Sequence, residues 1–161
     1  MWPRRTTLGH DYAHHWTMDH PAVRTRLRPR ALVESSDGAE AFSRVRALER
    51  HGYDAAWCPG PPQTMGSRCP LVSGDACPLT DWADVVVTAL GIGYPAGREV
   101  LEATRRAHPD LPVVVEATQA EAAQWPELLH GHPVLRTPVT TNGLLDAVAE
   151  AIGPGNRLTT N

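Results

Sequence analysis

The chain has 161 residues, an apolar share of 42 % and a formal net charge of -3, which bounds it to a single domain with an adequate core and argues against direct nucleic-acid binding. All 15 basic residues are arginine, and the lack of lysine removes chemistry that needs one, such as the P-loop lysine or a Schiff base. Three cysteines, an odd number, do not fit a secreted disulfide scaffold; with no signal-peptide core and no run near the roughly 20 apolar residues of a membrane span, a cytoplasmic protein without membrane contact is expected.

Residues 1–30 are rich in histidine, arginine and threonine, carry prolines at 3, 21 and 29, and are expected to form a flexible extension. His10 and His14 stand four apart, with His15 and His20 nearby, a spacing that holds a metal on a helix. The plainer reading is a mobile tail, and the alternating Arg24, Arg26, Arg28 and Arg30 read as a solvated run.

Residues 31–33 form a first strand leading into Glu34-Ser35-Ser36-Asp37. A helix over 38–51 follows, capped by Ser36 or Asp37, with Phe42, Val45 and Leu48 expected inward and Gly52 as its stop. Residues 53–57 read as a second strand. Residues 58–80 hold five prolines (59, 61, 62, 70 and 78) and three glycines (60, 66 and 74), which exclude a long helix. Cys58, Cys69 and Cys77 each precede a proline, which keeps their backbone extended. A connection of this length inside a compact domain is expected to be functional or disordered.

The apolar, β-branched run over 84–90 is too short for a buried helix and is bounded by Gly91 and Gly93, so it reads as a buried strand. Val100, Leu101, Thr104 and Ala107 then repeat at helical spacing, and Pro109 and Pro112 close that helix before the Val113-Val114-Val115 strand. This is a βαβ unit, which implies an α/β domain with its sites beyond the carboxyl ends of the strands. A short helix between 118 and 129, broken at Pro126 or ending near Gly131, a fifth strand over 133–136, and a last helix capped by Thr140 or Thr141 complete the pattern. Leu144, Leu145, Val148 and Ile152 share one face of that last helix, Gly153 stops it, and 154–161 read as a tail.

This order of elements resembles the receiver domain of bacterial response regulators, a flavodoxin-like fold. The similarity is closest in ADVVVTALGIGYPAGREVLEATRRAHPDLPVVV, residues 83–115, with Gly97 after the active-site loop, and in Val134-Leu135-Arg136-Thr137-Pro138-Val139 with the Leu-Leu helix that follows. The resemblance implies a three-layer sandwich with a five-stranded parallel sheet over 31–153, its second helix replaced by the Cys/Pro/Gly-rich loop at 58–80. It also implies where the family's chemistry would sit. The phosphoacceptor aspartate is matched by Ala89, the acidic Mg²⁺-binding pair by Ser35 and Ser36 (Glu34 or Asp37 one position off), the hydroxyl residue ending the fourth strand by Ala117, and the lysine by Thr137. Phosphoryl transfer needs a nucleophilic oxygen, a metal and cations against the developing charge, so the resemblance implies a pseudo-receiver.

Two rival readings come from the residues themselves. Gly91, Gly93 and Ala96 fit G-x-G-x-x-G/A between a strand and a helix, with Glu116 ending the next strand where a dinucleotide fold binds the ribose. Cys58, Cys69 and Cys77 lie in one loop and can converge on a soft metal ion, with His51 or an N-terminal histidine as fourth ligand, form a disulfide between Cys69 and Cys77, or pack as inert thiols. Ser35 and Ser36 lack a nucleophile elbow, and His108, His130 and His132 sit at helix ends or turns.

The expected function is therefore a non-enzymatic, phosphorylation-independent signalling or protein-interaction module of bacterial regulation. No resident cofactor is expected, apart from an ion at the cysteine loop in the sensor reading. By the resemblance, a protein partner or a second copy would dock on the face carrying Trp125, Leu128, Leu144 and Val148. A metal or redox sensor built on the cysteines is the alternative, and a dinucleotide-binding protein the third.

Overall fold

The computed structural model describes residues 28–61 and 69–153. Five strands, β1 (Arg30–Glu34), β2 (Asp54–Cys58), β3 (Val85–Thr88), β4 (Val113–Ala117) and β5 (Val134–Arg136), form one parallel sheet in the order β2-β1-β3-β4-β5. The three central strands are apolar on both faces, as a parallel sheet covered by helices requires. On one face, Ala31, Val33, Val85, Val87 and Val114 pack against α1 (Gly38–Arg50) and α7 (Thr141–Ile152). On the other, Leu32, Val86, Val113 and Val115 pack against α4 (Pro95–Ala107), α5 (Gln119–Gln124) and α6 (Pro126–Leu129). This is the three-layer α/β sandwich expected from the sequence. The histidines and arginines of the N-terminal extension, save Arg28 and Arg30, lie outside the described residues.

Local chemistry sets the helix ends. Asp37 Oδ1 accepts from the backbone N–H of Ala39 and Glu40 at 2.9 and 3.0 Å, fixing the start of α1. Thr118 and Glu121 form a reciprocal capping box on α5, and Thr140 caps α7 through the Gly143 N–H at 3.1 Å. Pro126, as expected, separates α5 from α6 and starts the second of them. Gly97 is demanded by a close approach: a Cβ there would stand 2.3 Å from the Gly91 carbonyl oxygen.

Three expectations are corrected. Phe42 is 66 % exposed, because the inward line of α1 runs through Ala41, Val45 and Leu48, and Phe42 sits about 100° round from Ala41. The segment between β2 and β3 is not simply loop: α2 (Pro70–Ser73) and α3 (Pro78–Trp82) are single helical turns, each started by the proline after a cysteine. Leu144 and Val148 are 2 % and 0 % exposed, so they anchor α7 to the sheet and offer nothing to a docking partner.

Candidate functional site

The carboxyl edge of the sheet gathers the five positions singled out by the receiver resemblance. Glu34 pairs with Thr88 across β1 and β3, the Ala89 N–H donates to the Glu34 carbonyl at 2.7 Å, and Ser35 lies next to Cys58 through its own N–H. Thr137 donates its N–H to the Ala117 carbonyl at 3.2 Å. The side chains available there are unlike a phosphotransfer centre. Ser35 is buried and its hydroxyl is held by the Asp37 backbone; Asp37 spends its carboxylate on the cap of α1; Ala89 and Ala117 present methyl groups. Thr137 is exposed at the start of the β5–α7 connection.

Glu34 points to the opposite face from Asp37. It shares the side of β1 occupied by Leu32, is 4 % exposed, and is raised to a pKa of about 7 by burial, against a hydrogen bond from Thr88 that lowers it. It lines a cavity of about 190 Å³ together with Leu32, Leu71, Val100 and all three cysteines. Cys58 closes the carboxyl end of β2, Cys69 and Cys77 precede α2 and α3, and the two short helices hold the last pair against Ala103 of α4. Burial pushes the Cys58 thiol up against a backbone hydrogen bond from Gly60 that lowers it, and Glu34 and the other two cysteines add to the rise. The loop therefore does bring the cysteines together, as its sequence suggested. Among the described residues, however, no three of His, Cys, Asp and Glu stand close enough to hold one ion. His51, offered as a fourth ligand, caps the carboxyl end of α1 before β2 begins, at the far edge of the sheet from Cys58.

The glycine motif is committed elsewhere. The Gly93 N–H donates to Glu121 Oε1 at 2.9 Å, so a side chain of the protein already occupies the mouth of α4. Burial would raise the Glu121 carboxyl, but hydrogen bonds from the Thr118 N–H and hydroxyl and from Gly93 outweigh it and hold the group below its usual range. Arg98 returns to the same loop, donating to the Ile92 and Gly93 carbonyls, and lies 4.2 Å from the Trp125 ring centroid. Glu116 faces the other side of the sheet, in a two-point pair with Arg44 of α1. It is not presented to a ribose at the Gly91–Gly93 loop.

A second concavity, of about 290 Å³, runs between α1 and the start of α7 and includes Ser43, Arg44, Thr137 and Thr140. The remaining histidines among the described residues are structural: His108 meets Thr80 and Asp81 at the end of α4, His130 caps α6, and His132 contacts the Val113 carbonyl through Nδ1. Sequence reasoning missed the Arg44–Glu116 pair and the place of Glu34 in the cysteine cavity. The first joins positions 72 residues apart with no local signal; the second was readable from strand parity, which puts Glu34 beside Leu32.

No family model and no curated protein matches the chain. Solved structures do. A response regulator receiver domain from Clostridium thermocellum aligns with a TM-score of 0.59 at 18 % identity, over 77 % of this chain and 94 % of that one. The chemotaxis protein CheY4 of Vibrio cholerae aligns at 0.57 and 16 % identity, over 77 % and 98 %. A pilus assembly-related protein from Burkholderia pseudomallei aligns at 0.57 and 21 % identity, over 82 % and 95 %. The fold is that of a receiver domain, at an identity that speaks for the fold alone.

Proposed function

We propose that the chain is a pseudo-receiver: a signalling or protein-interaction module that works without phosphorylation and without catalysis. The observation that supports this most directly is Ala89, which donates its N–H to the Glu34 carbonyl and follows the carboxyl end of β3, where the resemblance would put a phosphoacceptor oxygen. A methyl group accepts no phosphoryl group, and the nearest buried carboxyl, Glu34, is turned into an apolar cavity. Incubation with acetyl phosphate and Mg²⁺, read by intact mass, is expected to leave the protein unchanged. A phosphoryl adduct that survives Ser35→Ala would overturn the reading.

A partner protein or a second copy would use the surface of α6, β5 and α7. After correction for burial, its exposed or half-buried members include Trp125, Leu128, Asp146 and Glu150. Charge reversal at Asp146 and Glu150 is expected to break such a complex while leaving the fold intact. No helix among the described residues is long and apolar enough to cross a membrane, which fits a module of this kind.

One observation favours a second reading, a redox or metal sensor: Cys58, Cys69 and Cys77 border one cavity. Hydrogen peroxide would join two of the thiols as a disulfide, with two waters as the other product. Metal content and free-thiol titration on untagged protein, with Cys69→Ser and Cys77→Ser as controls, test it.

A further inference from the structure

We propose that the cavity bounded by Glu34 and the three cysteines is a binding site for a small, uncharged ring compound carrying a hydrogen-bond acceptor such as a carbonyl. The inference does not rest on the pseudo-receiver reading; it would stand even if the chain could be phosphorylated.

Position is the first support. Glu34 and Cys58 are the last residues of β1 and β2, so the cavity lies on the sheet face beside Leu32 at the carboxyl-end side of parallel strands, the side on which open α/β sheets place their ligands. Size is the second. An apolar cavity of about 150 Å³ accepts benzene, and here about 190 Å³ is available, room for one six-membered ring and a short substituent. Cys69 and Cys77 pack in one cluster, but no ion-sized set of three ligands is formed among the described residues, so the site suits a molecule better than a metal.

Chemistry then narrows the class. Leu32, Leu71 and Val100 give apolar walls, and the sulfurs of Cys58, Cys69 and Cys77 are polarizable surfaces that pack well on an aromatic ring. Among the described residues no arginine or histidine lines the cavity, so these walls offer a carboxylate or phosphate no counter-charge. The strongly polar member is Glu34, which already accepts a hydrogen bond from Thr88. In its neutral form the carboxyl has one proton to donate, which selects an acceptor on the ligand. Among the described residues, those facing it include Cys58 from β2, Cys69 and Cys77 from the starts of α2 and α3, and Val100 from α4, none of which supplies a positive charge.

The test uses the full chain under reducing conditions, with benzamide and acetophenone as probes and benzoate and benzylamine as charged counterparts. Both neutral probes are expected to raise the thermal midpoint and to slow alkylation of Cys58 by N-ethylmaleimide, while the charged ones do neither. Glu34→Leu, which removes the donor, is expected to weaken binding about tenfold, the equivalent of one hydrogen bond. Val100→Phe, which fills the space, is expected to abolish it; circular dichroism checks that each variant is folded, and the wild-type alkylation result decides if one is not. Three results would overturn the proposal: no response to either neutral probe, an equal response to benzoate, or stoichiometric zinc binding by the same cysteines with no effect of the ring compounds.

Discussion

Arg44 of α1 and Glu116 of β4 meet in a two-point ion pair, Nε to Oε1 and Nη2 to Oε2 at 2.5 Å each, with side chains only 11 % and 3 % exposed. The pair ties α1 to the sheet on the face where α1 and α7 pack. Removing Glu116 leaves the Arg44 guanidinium only the half-exposed Glu40, 3.4 Å away, whereas replacing both Arg44 and Glu116 with apolar groups of similar size removes the buried charges together. Glu116→Ala is therefore expected to cost about 1.5–3 kcal/mol in urea denaturation. The double variant Arg44→Met with Glu116→Leu should recover most of that loss. Equal losses in the single and double variants would show that the pair holds the helix by something other than matched charge.

The loop at the mouth of α4 gives a second prediction. Gly97 is buried, and a Cβ there would collide with the Gly91 carbonyl at 2.3 Å, a backbone atom that cannot swing aside. Gly97→Ala should lower stability by roughly 1–3 kcal/mol through forced displacement of the loop. Gly131, with a φ of +82 and open space around its Cβ position, carries backbone strain only, and Gly131→Ala should cost about 1 kcal/mol. If thermal melts rank the two the other way, the close approach at Gly97 is not what fixes the loop.

Glu121 serves two elements at once, completing the α5 capping box with Thr118 and accepting from Gly93. Its carboxylate is largely solvent-facing, so its worth is that of a cap, about 1 kcal/mol. Glu121→Ala is expected to lose that amount and also to speed hydrogen exchange of the Gly93 amide, which a pure capping role on α5 would leave unchanged. Unaltered exchange at Gly93 would count against the link between α5 and the loop.

The strands were legible because their burial leaves little choice. Residues 85–88 and 113–115 are valine-rich runs between breakers, and a parallel sheet covered on both faces accepts such runs and little else. The helices were legible in extent but less so in facing: Phe42 was read inward because it is large and apolar, yet Ala41 holds the buried position at the 3.6-residue spacing. Phe42→Ser is accordingly expected to change stability by no more than about 0.5 kcal/mol, while Leu48→Ala should cost about 2–5 kcal/mol. The five edge positions could be placed because topology aligns strand ends. The Arg44–Glu116 pair could not, since a contact between α1 and β4 leaves no pattern in either segment. At the cysteine loop the prolines argued against a long helix, but they also start the single turns that set Cys69 and Cys77 against α4.

Glu34 makes stability depend on pH in an unusual direction for a carboxyl group. Its folded pKa of about 7 lies above the ordinary 4.5 because burial disfavours the charged form. Below about pH 4.5 the group is neutral in both states and contributes no penalty. As pH rises from there, the unfolded chain ionises freely while the folded chain resists, so stability is lost progressively and the loss is complete above about pH 7. At about 1.4 kcal/mol per pKa unit, the full effect is on the order of 3 kcal/mol. His132 acts in the opposite sense: burial and the nearby Arg105 lower its pKa, and its Nε2 has no hydrogen-bond partner, so acidification below its usual range destabilises the fold. Denaturation midpoints of the wild type and of Glu34→Gln, measured from pH 5 to 8, separate the two. The wild type should lose stability relative to the variant as pH rises, and the difference should level off above about pH 7. A constant difference across that range would mean that Glu34 is ionised in the folded protein and that its cavity is wetter than the packing of Leu32, Leu71 and Val100 implies.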